Sequence, residues 1–310
     1  MRILVIGAGA VGGYFGARLQ KAGLDVTFLV REGRAKQMRD SGLVVLSPDE
    51  DFTITPNLLL AEQLRSQPQV FDLILLSTKA YSLDAAMEDF APAVGPETAI
   101  LPLLNGMSHL DKLEARFGAG RVLGGSTRIS SDLDAQGRVI SMDEKLHDLH
   151  FGELDKAVTP RIEAIDTLLS DAGFEAVLQP DIVAFMWHKW TVLSALASIT
   201  CLLRGSIGDV AAVSGGLETA NRILDESIAI ATAHGQRPPD EFLAAVRTRL
   251  TLPGSDLTAS MYRDMMRGAP VEAEHILGDL LARAAAHGVR APLLTAAYAQ
   301  LCVYQNNRKP

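Results

Sequence analysis

Cysteine is almost missing from this chain: its 310 residues include two, Cys201 and Cys302, in unrelated contexts. With no Cys-x-x-Cys and no cysteine framework, a disulfide-stapled secreted domain and a dithiol redox site are both excluded, and a reducing cytoplasm is the expected setting. Basic clusters are missing too. The net charge is −8 and no run of Lys or Arg offsets it, so nucleic acid is not expected as a partner. There is no internal repeat and no low-complexity tract. Neither a Gly-x-Ser-x-Gly elbow nor a Cys/His pairing points to a hydrolase. One apolar run is long, Ile182 to Leu203, and it carries His188 and Lys189 near its middle with Ser and Thr beyond. A central Lys is costly in lipid, so this run reads as a buried helix rather than a membrane span. The opening residues read as a strand, not as a secretory leader.

What is present is ordinary in amount. Apolar residues make up 48% and charged residues 21%, which fits a globular protein and is too apolar for disorder. The length suggests two domains, each able to bury a core. The most informative segment is the first: Arg2-Ile3-Leu4-Val5-Ile6-Gly7-Ala8-Gly9-Ala10-Val11-Gly12. A β-branched run breaks into Gly-x-Gly-x-x-Gly and then into a helix-forming stretch. Gly7 allows a sharp turn off the strand, Gly9 leaves the backbone open to a pyrophosphate, and Gly12 lets helix and sheet pack closely. The free N–H groups of the helix beginning near Ala10 and Val11 would hold the phosphates. The competing reading is a tight strand–helix turn with no ligand.

Strands and helices alternate through the first half, with further strands expected at 25–30, 71–78, 98–104 and 122–125; that rhythm implies a parallel sheet. Across 128–153 it changes, and a turn at Asp134-Ala-Gln-Gly137 predicts antiparallel strands extending the sheet. From about residue 181 helical periodicity dominates, with helices expected at 181–203, 215–234, 240–250, 271–287 and 292–306. Gln179-Pro180-Asp181 supplies the boundary and an N-cap. The expected architecture is a Rossmann-type α/β dinucleotide-binding domain (1–180) followed by an all-α substrate domain (181–310).

Ligands of a doubly wound sheet bind beyond the carboxyl ends of its strands. Lys79 follows the strand ending at Thr78, and Asn105-Gly106 follows the run ending at Leu104, so Lys79 and Asn105 can face a nicotinamide or its substrate. The bland alternatives are a solvated lysine and a turn. At the end of the second strand stands Val30-Arg31-Glu32-Gly33-Arg34. A basic residue there accommodates the 2′-phosphate of NADP, an acidic one the 2′-hydroxyl of NAD; Arg31, with Arg34 near, favours NADP, and Glu32 is the complication. In the helical half, Lys189 within Met186-Trp187-His188-Lys189-Trp190 needs either a partner or a purpose, unless its stem simply covers apolar surface. Glu272 and Asp264 are the candidate partners by character. His147 and His150 have a metal-ligand spacing but read as parts of a strand and turn, and Glu272-x-x-His275 is half of a di-metal motif without its second half. No metal is expected.

The ordered set Gly7-x-Gly9-x-x-Gly12, the Arg31 region, Ser77-Thr78-Lys79-Ala80, Leu104-Asn105-Gly106-Met107, Trp187-His188-Lys189, Ser260-Met261-x-x-Asp264 and Glu272 resembles the ketopantoate reductase (2-dehydropantoate 2-reductase) family over essentially the whole chain. The resemblance implies hydride transfer from NADPH to the ketone of a 2-oxo acid, with pantothenate biosynthesis as the family's setting. It implies that Lys189 is the general acid, that Glu272 holds that ammonium and touches substrate, that Asn105 and Lys79 line the nicotinamide side, and that Ser260 helps bind the substrate carboxylate. It also makes a homodimer an expectation. Four positions depart from the family: Leu193, Ala197, Leu257 and Leu277 stand where Asn is common. Their loss predicts weak recognition of ketopantoate and a less polar substrate. The alternatives are another dehydrogenase with a Rossmann and a helical domain, and an NADP(H)-binding regulator without turnover.

Overall fold

The computed structural model describes residues 1–143 and 147–308, in two compact units: Met1–Leu104 with His109–Val183, and Asn105–Ser108 with Ala184–Pro310. In the first unit the chain runs β1 (Arg2–Ile6), α1 (Ala10–Lys21), β2 (Asp25–Leu29), α2 (Glu32–Ser41), β3 (Leu43–Leu46), β4 (Phe52–Ile54), β5 (Asn57–Leu59), α3 (Ala61–Ser66), β6 (Phe71–Leu76), α4 (Leu83–Phe90) and β7 (Val94–Pro102). It continues through α5 (Ser108–Phe117), β8 (Leu123–Ile129), β9 (Ser131–Leu133), β10 (Val139–Ser141), β11 (His147–Glu153), α6 (Pro160–Leu169) and β12 (Glu175–Leu178).

The central sheet is parallel, in the order β5-β2-β1-β6-β7. Its inner strands are near-continuous apolar runs because both faces are covered: Ile3, Leu4, Val5, Leu73, Ile74 and Leu75 are all fully buried. The register aligns one rim, pairing Ile6 with Leu29 and Leu76, and Leu76 with Pro102. The chain therefore leaves the sheet at a common level just before Gly7, Arg31, Lys79 and the segment leading to Asn105. The order reverses between β1 and β6, the crevice where ligands of such sheets bind.

The strands expected across 128–153 do not simply extend this sheet. β8 and β11 pair antiparallel and carry β12 in a sheet of three, joined to the central one by a single bridge between Ile100 and Val122. The hairpin β9–β10, built on the Asp134–Gly137 turn, instead joins β3 and β4 in a separate four-stranded sheet. It lies against α1, where a side chain at Gly13 would come within 2.9 Å of Val139 Cγ2.

The second unit is helical: α7 (Ile182–Leu203, starting in the first unit), α8 (Ile207–Ala211), α9 (Gly216–Ala233), α10 (Asp240–Leu250), α11 (Ser260–Met266), α12 (Asp279–Ala286) and α13 (Pro292–Asn307). α7 is long and apolar enough to cross a membrane, but 56% of its most apolar window is buried within the protein, as suits a core helix. The helix expected over 271–287 is present as helical backbone from Ala273 to Ala286, but its first part is not α-helical. A π-turn occupies Glu274–Gly278 before α12 begins. Such a turn inserts one residue into the helical ladder. Here the buried Trp190 Nε1–H donates to the Ile276 carbonyl at 3.0 Å, stabilising it from outside the ladder.

Candidate active site

The three motif glycines occupy three different environments. Gly7 has φ +89°, a left-handed conformation, and a Cβ there would meet the Ser77 carbonyl oxygen at 2.8 Å. A Cβ on Gly12 would lie 2.2 Å from the Gly7 carbonyl oxygen, so α1 packs against the loop as closely as a helix can. Around Gly9 nothing lies within 4 Å of a Cβ position. Gly9 is the N-cap of α1, and the first-turn N–H groups after it, those of Ala10, Val11 and Gly12, have no partner within the helix. An open concavity lined by backbone donors at a helix N-terminus fits a pyrophosphate.

The residues after β2 separate into distinct roles. Arg31 is the N-cap of α2 and is exposed. Glu32 points along the helix, its Oε1 3.1 Å from Arg39 Nη1 on the solvent-exposed face. An exposed pair of this kind contributes only ~0.2–1 kcal/mol, but it draws the carboxylate two turns along the helix. Arg34 is the residue the sequence undervalues. Its Nε donates to the Ala8 carbonyl inside the glycine loop at 3.0 Å, and its Nη1 donates to the Gly137 carbonyl at 2.7 Å and to Gln37 Oε1 at 2.6 Å. It thus ties the loop to the β9–β10 turn. Burial lowers its pKa, yet a guanidinium remains charged. Lys79 is exposed and N-caps the short turn Ala80–Ser82.

The other expected site residues gather in the helical unit. Asn105, Lys189, Ser260 and Glu272 all belong to it. On α7, Trp187 and Trp190 face inward, 4% and 1% exposed; their rings lie 4.9 Å apart with the Arg283 guanidinium over both. Trp187 also stacks on His234, whose imidazole burial holds below its ordinary pKa. With these rings anchored, Phe185, Lys189, Val192, Leu193 and Leu196 form the helix's half-buried stripe. Helical spacing puts Leu193 one turn beyond Lys189 on that stripe. Glu272 is half-buried just before the π-turn, its carbonyl accepting from Ile276 N at 3.0 Å. Ser260 opens α11 and is exposed.

The four family departures are not equivalent. Ala197 and Leu277 are fully buried, whereas Leu193 and Leu257 are half-buried and reach the surface. Nor do neighbouring serines replace the missing amides: Ser194 Oγ donates to the Trp190 carbonyl at 2.8 Å, and both Ser194 and Ser198 are fully buried.

His147 and His150 share β11, but three residues apart on a strand they face opposite ways. His147 Nδ1 is 2.8 Å from Tyr14 Oη and His150 Nδ1 is 2.9 Å from Gln179 Nε2, so each ring has its own hydrogen-bond partner. Among the described residues no group of three His, Cys, Asp or Glu side chains is placed to hold a metal.

Comparison with known proteins places this architecture. The family model described as ketopantoate reductase PanE/ApbA matches residues 3–156, and its C-terminal counterpart matches 181–305. The uncharacterized oxidoreductase YkpB of Bacillus subtilis is 35% identical over 98% of this chain and 99% of its own. The crystal structure of 2-dehydropantoate 2-reductase from Geobacter metallireducens superposes with a TM-score of 0.87 at 28% identity, covering 98% of this chain and 99% of that one. A ternary structure of D-mandelate dehydrogenase with NADH and anilino(oxo)acetate shares the fold, with a TM-score of 0.86 at 21% identity over 99% and 98% of the two chains. The chain belongs to the ketopantoate reductase family of oxidoreductases.

Proposed function

We propose that this protein is an NADPH-dependent reductase of 2-oxo acids, acting on a substrate with a less polar side chain than ketopantoate. The observation that carries the reading is the retention of a half-buried lysine, Lys189, beside an aliphatic Leu193 on one stripe of α7, in a family whose members use a nicotinamide cofactor. A bound reduced nicotinamide supplies the hydride. Backbone N–H groups of Gly9, Ala10, Val11 and Gly12 would hold its pyrophosphate, with Gly7 setting the turn, and Arg31 would meet the 2′-phosphate. Lys79 and Asn105 are the residues that would serve the nicotinamide end. As the carbonyl carbon gains the hydride, the ammonium of Lys189 delivers a proton to the developing alkoxide, giving the 2-hydroxy acid. Glu272 orients that ammonium, and Ser260 donates to the substrate carboxylate.

The half-exposed aliphatic positions Leu193 and Leu257 set the substrate preference. An amide missing from a buried polar contact costs ~1–3 kcal/mol, so the hydroxyl of ketopantoate is disfavoured and a branched or aromatic side chain is tolerated. The shared fold accommodates such a ligand in D-mandelate dehydrogenase, where anilino(oxo)acetate is bound. Steady-state kinetics on ketopantoate and on branched and aromatic 2-oxo acids test this directly: the last two are expected to show the higher kcat/KM.

Cofactor choice has its own test. Arg31→Ala is expected to weaken NADPH binding by about 10- to 150-fold, the worth of one charge-assisted bond of roughly 1.5–3 kcal/mol, while NADH binding barely changes. Fluorescence titration with each dinucleotide separates the cases. Equal losses would make Arg31 a structural cap, and native preference for NADH would mean that Glu32 governs the pocket.

A further inference from the structure

Beyond Glu272, one turn of chain contacts two of the segments that carry the proposed chemistry. Ser108 Oγ lies 2.7 Å from His275 Nδ1. Gly106, with φ +79°, has its backbone laid on the same residue: a Cβ there would sit 3.1 Å from the His275 carbonyl oxygen and 3.3 Å from ring atom Cδ2. The loop Asn105–Ser108 groups with the helical unit although its neighbours on either side belong to the other unit. One residue further on, the Ile276 carbonyl takes the Trp190 indole N–H, next to Lys189, and the Ile276 amide closes on the Glu272 carbonyl. Both contacting residues, His275 and Ile276, lie within the π-turn. Its inserted residue rotates the downstream helix by about 100° relative to a continuous α-helix.

Nothing in the chemistry above requires a histidine at 275, and the family resemblance assigns it no role. Among the described residues no group of three His, Cys, Asp or Glu side chains makes it part of a metal site, and its Nδ1 is engaged by Ser108. We propose that His275 is a positioning residue for the reduction. From the π-turn it holds the Asn105–Gly106 loop through Ser108, so that Asn105 keeps a constant place relative to Glu272 and Lys189. This rests on the reductase reading for its consequence but not for its geometry. Misplacement of a substrate-orienting group by about 1 Å costs up to about a hundredfold in rate.

Three variants and one pair test the assignment: Ser108→Ala, His275→Phe, His275→Asn and the double Ser108→Ala/His275→Phe. Ser108→Ala and His275→Phe are each expected to lower kcat about 10- to 100-fold, with KM for the oxo acid and affinity for NADPH changing by less than about threefold. The double variant is expected to be no worse than the poorer single, since both break one contact. His275→Asn puts an amide where Nδ1 stood and is expected to recover most of the rate. Amide hydrogen exchange of the segment spanning 103–112, measured without any substrate, is expected to rise in the first two variants and to fall back in His275→Asn. Unchanged exchange and unchanged kcat in Ser108→Ala would overturn the proposal, as would losses that add in the double variant. If the wild type reduced no 2-oxo acid at all, the reductase reading would fall, and the exchange measurement would still decide whether His275 holds the loop.

Discussion

Lys189→Ala is expected to lose 10²- to 10⁴-fold in kcat while still binding NADPH, the cost of removing one general acid, roughly 3–5 kcal/mol of barrier. Lys189 and the glycine loop belong to different compact units, so nucleotide capture is expected not to depend on the amine. The fold is expected to survive because Lys189 is on the half-buried stripe of α7, whereas the packing of that helix is made by Trp187 and Trp190. Stopped-flow hydride transfer and equilibrium NADPH titration on the same preparation check both halves. Near wild-type kcat would remove Lys189 from the chemistry. Loss of NADPH binding would point to a structural defect.

Gly9→Val is expected to weaken NADPH binding by about 100-fold or more, about 2.7 kcal/mol, with little change in thermal stability. A Cβ at Gly9 has nothing within 4 Å in the protein itself, so a branched side chain there is expected to fit the fold and to occupy the volume a pyrophosphate needs. Gly12 supplies the contrast. A Cβ there would stand 2.2 Å from the Gly7 carbonyl, so Gly12→Val is expected to destabilise the fold with or without nucleotide. Titration calorimetry paired with thermal melts distinguishes a blocked site from a broken one. Normal NADPH affinity in Gly9→Val would take the loop out of the account.

Much of the fold is legible in the sequence because its cause is local. The β1–loop–α1 unit is written in twelve consecutive residues, and α10 runs over Asp240–Leu250 as its periodicity predicts. Strands β3, β4 and β5 escape the sequence because three or four residues hold barely one alternation. The β9–β10 hairpin is visible from its turn, but its choice of β3 as partner is a long-range decision: Val139 pairs with Val45. The π-turn is hidden for a different reason. An apolar period runs across Glu274–Gly278 without interruption, and the interaction that supports the extra residue comes from Trp190, 86 positions away. The Ser108–His275 contact spans 167 positions and has no local signature. Arg34 is visible as a basic residue just after β2, but its bonds to Ala8 and Gly137 emerge only once the separate sheet is formed.

Lys189 and the glycine loop are proposed to serve one reaction, the reduction of a 2-oxo acid by NADPH. The most direct measurement follows NADPH absorbance with purified protein and a panel of branched, aromatic and hydroxylated 2-oxo acids, with chiral analysis of the products. The expected result is stoichiometric oxidation of NADPH, formation of a single enantiomer of the 2-hydroxy acid, and higher kcat/KM on branched or aromatic substrates than on ketopantoate. Tight NADPH binding with no turnover on any member of the panel would contradict it and favour a nucleotide-sensing role.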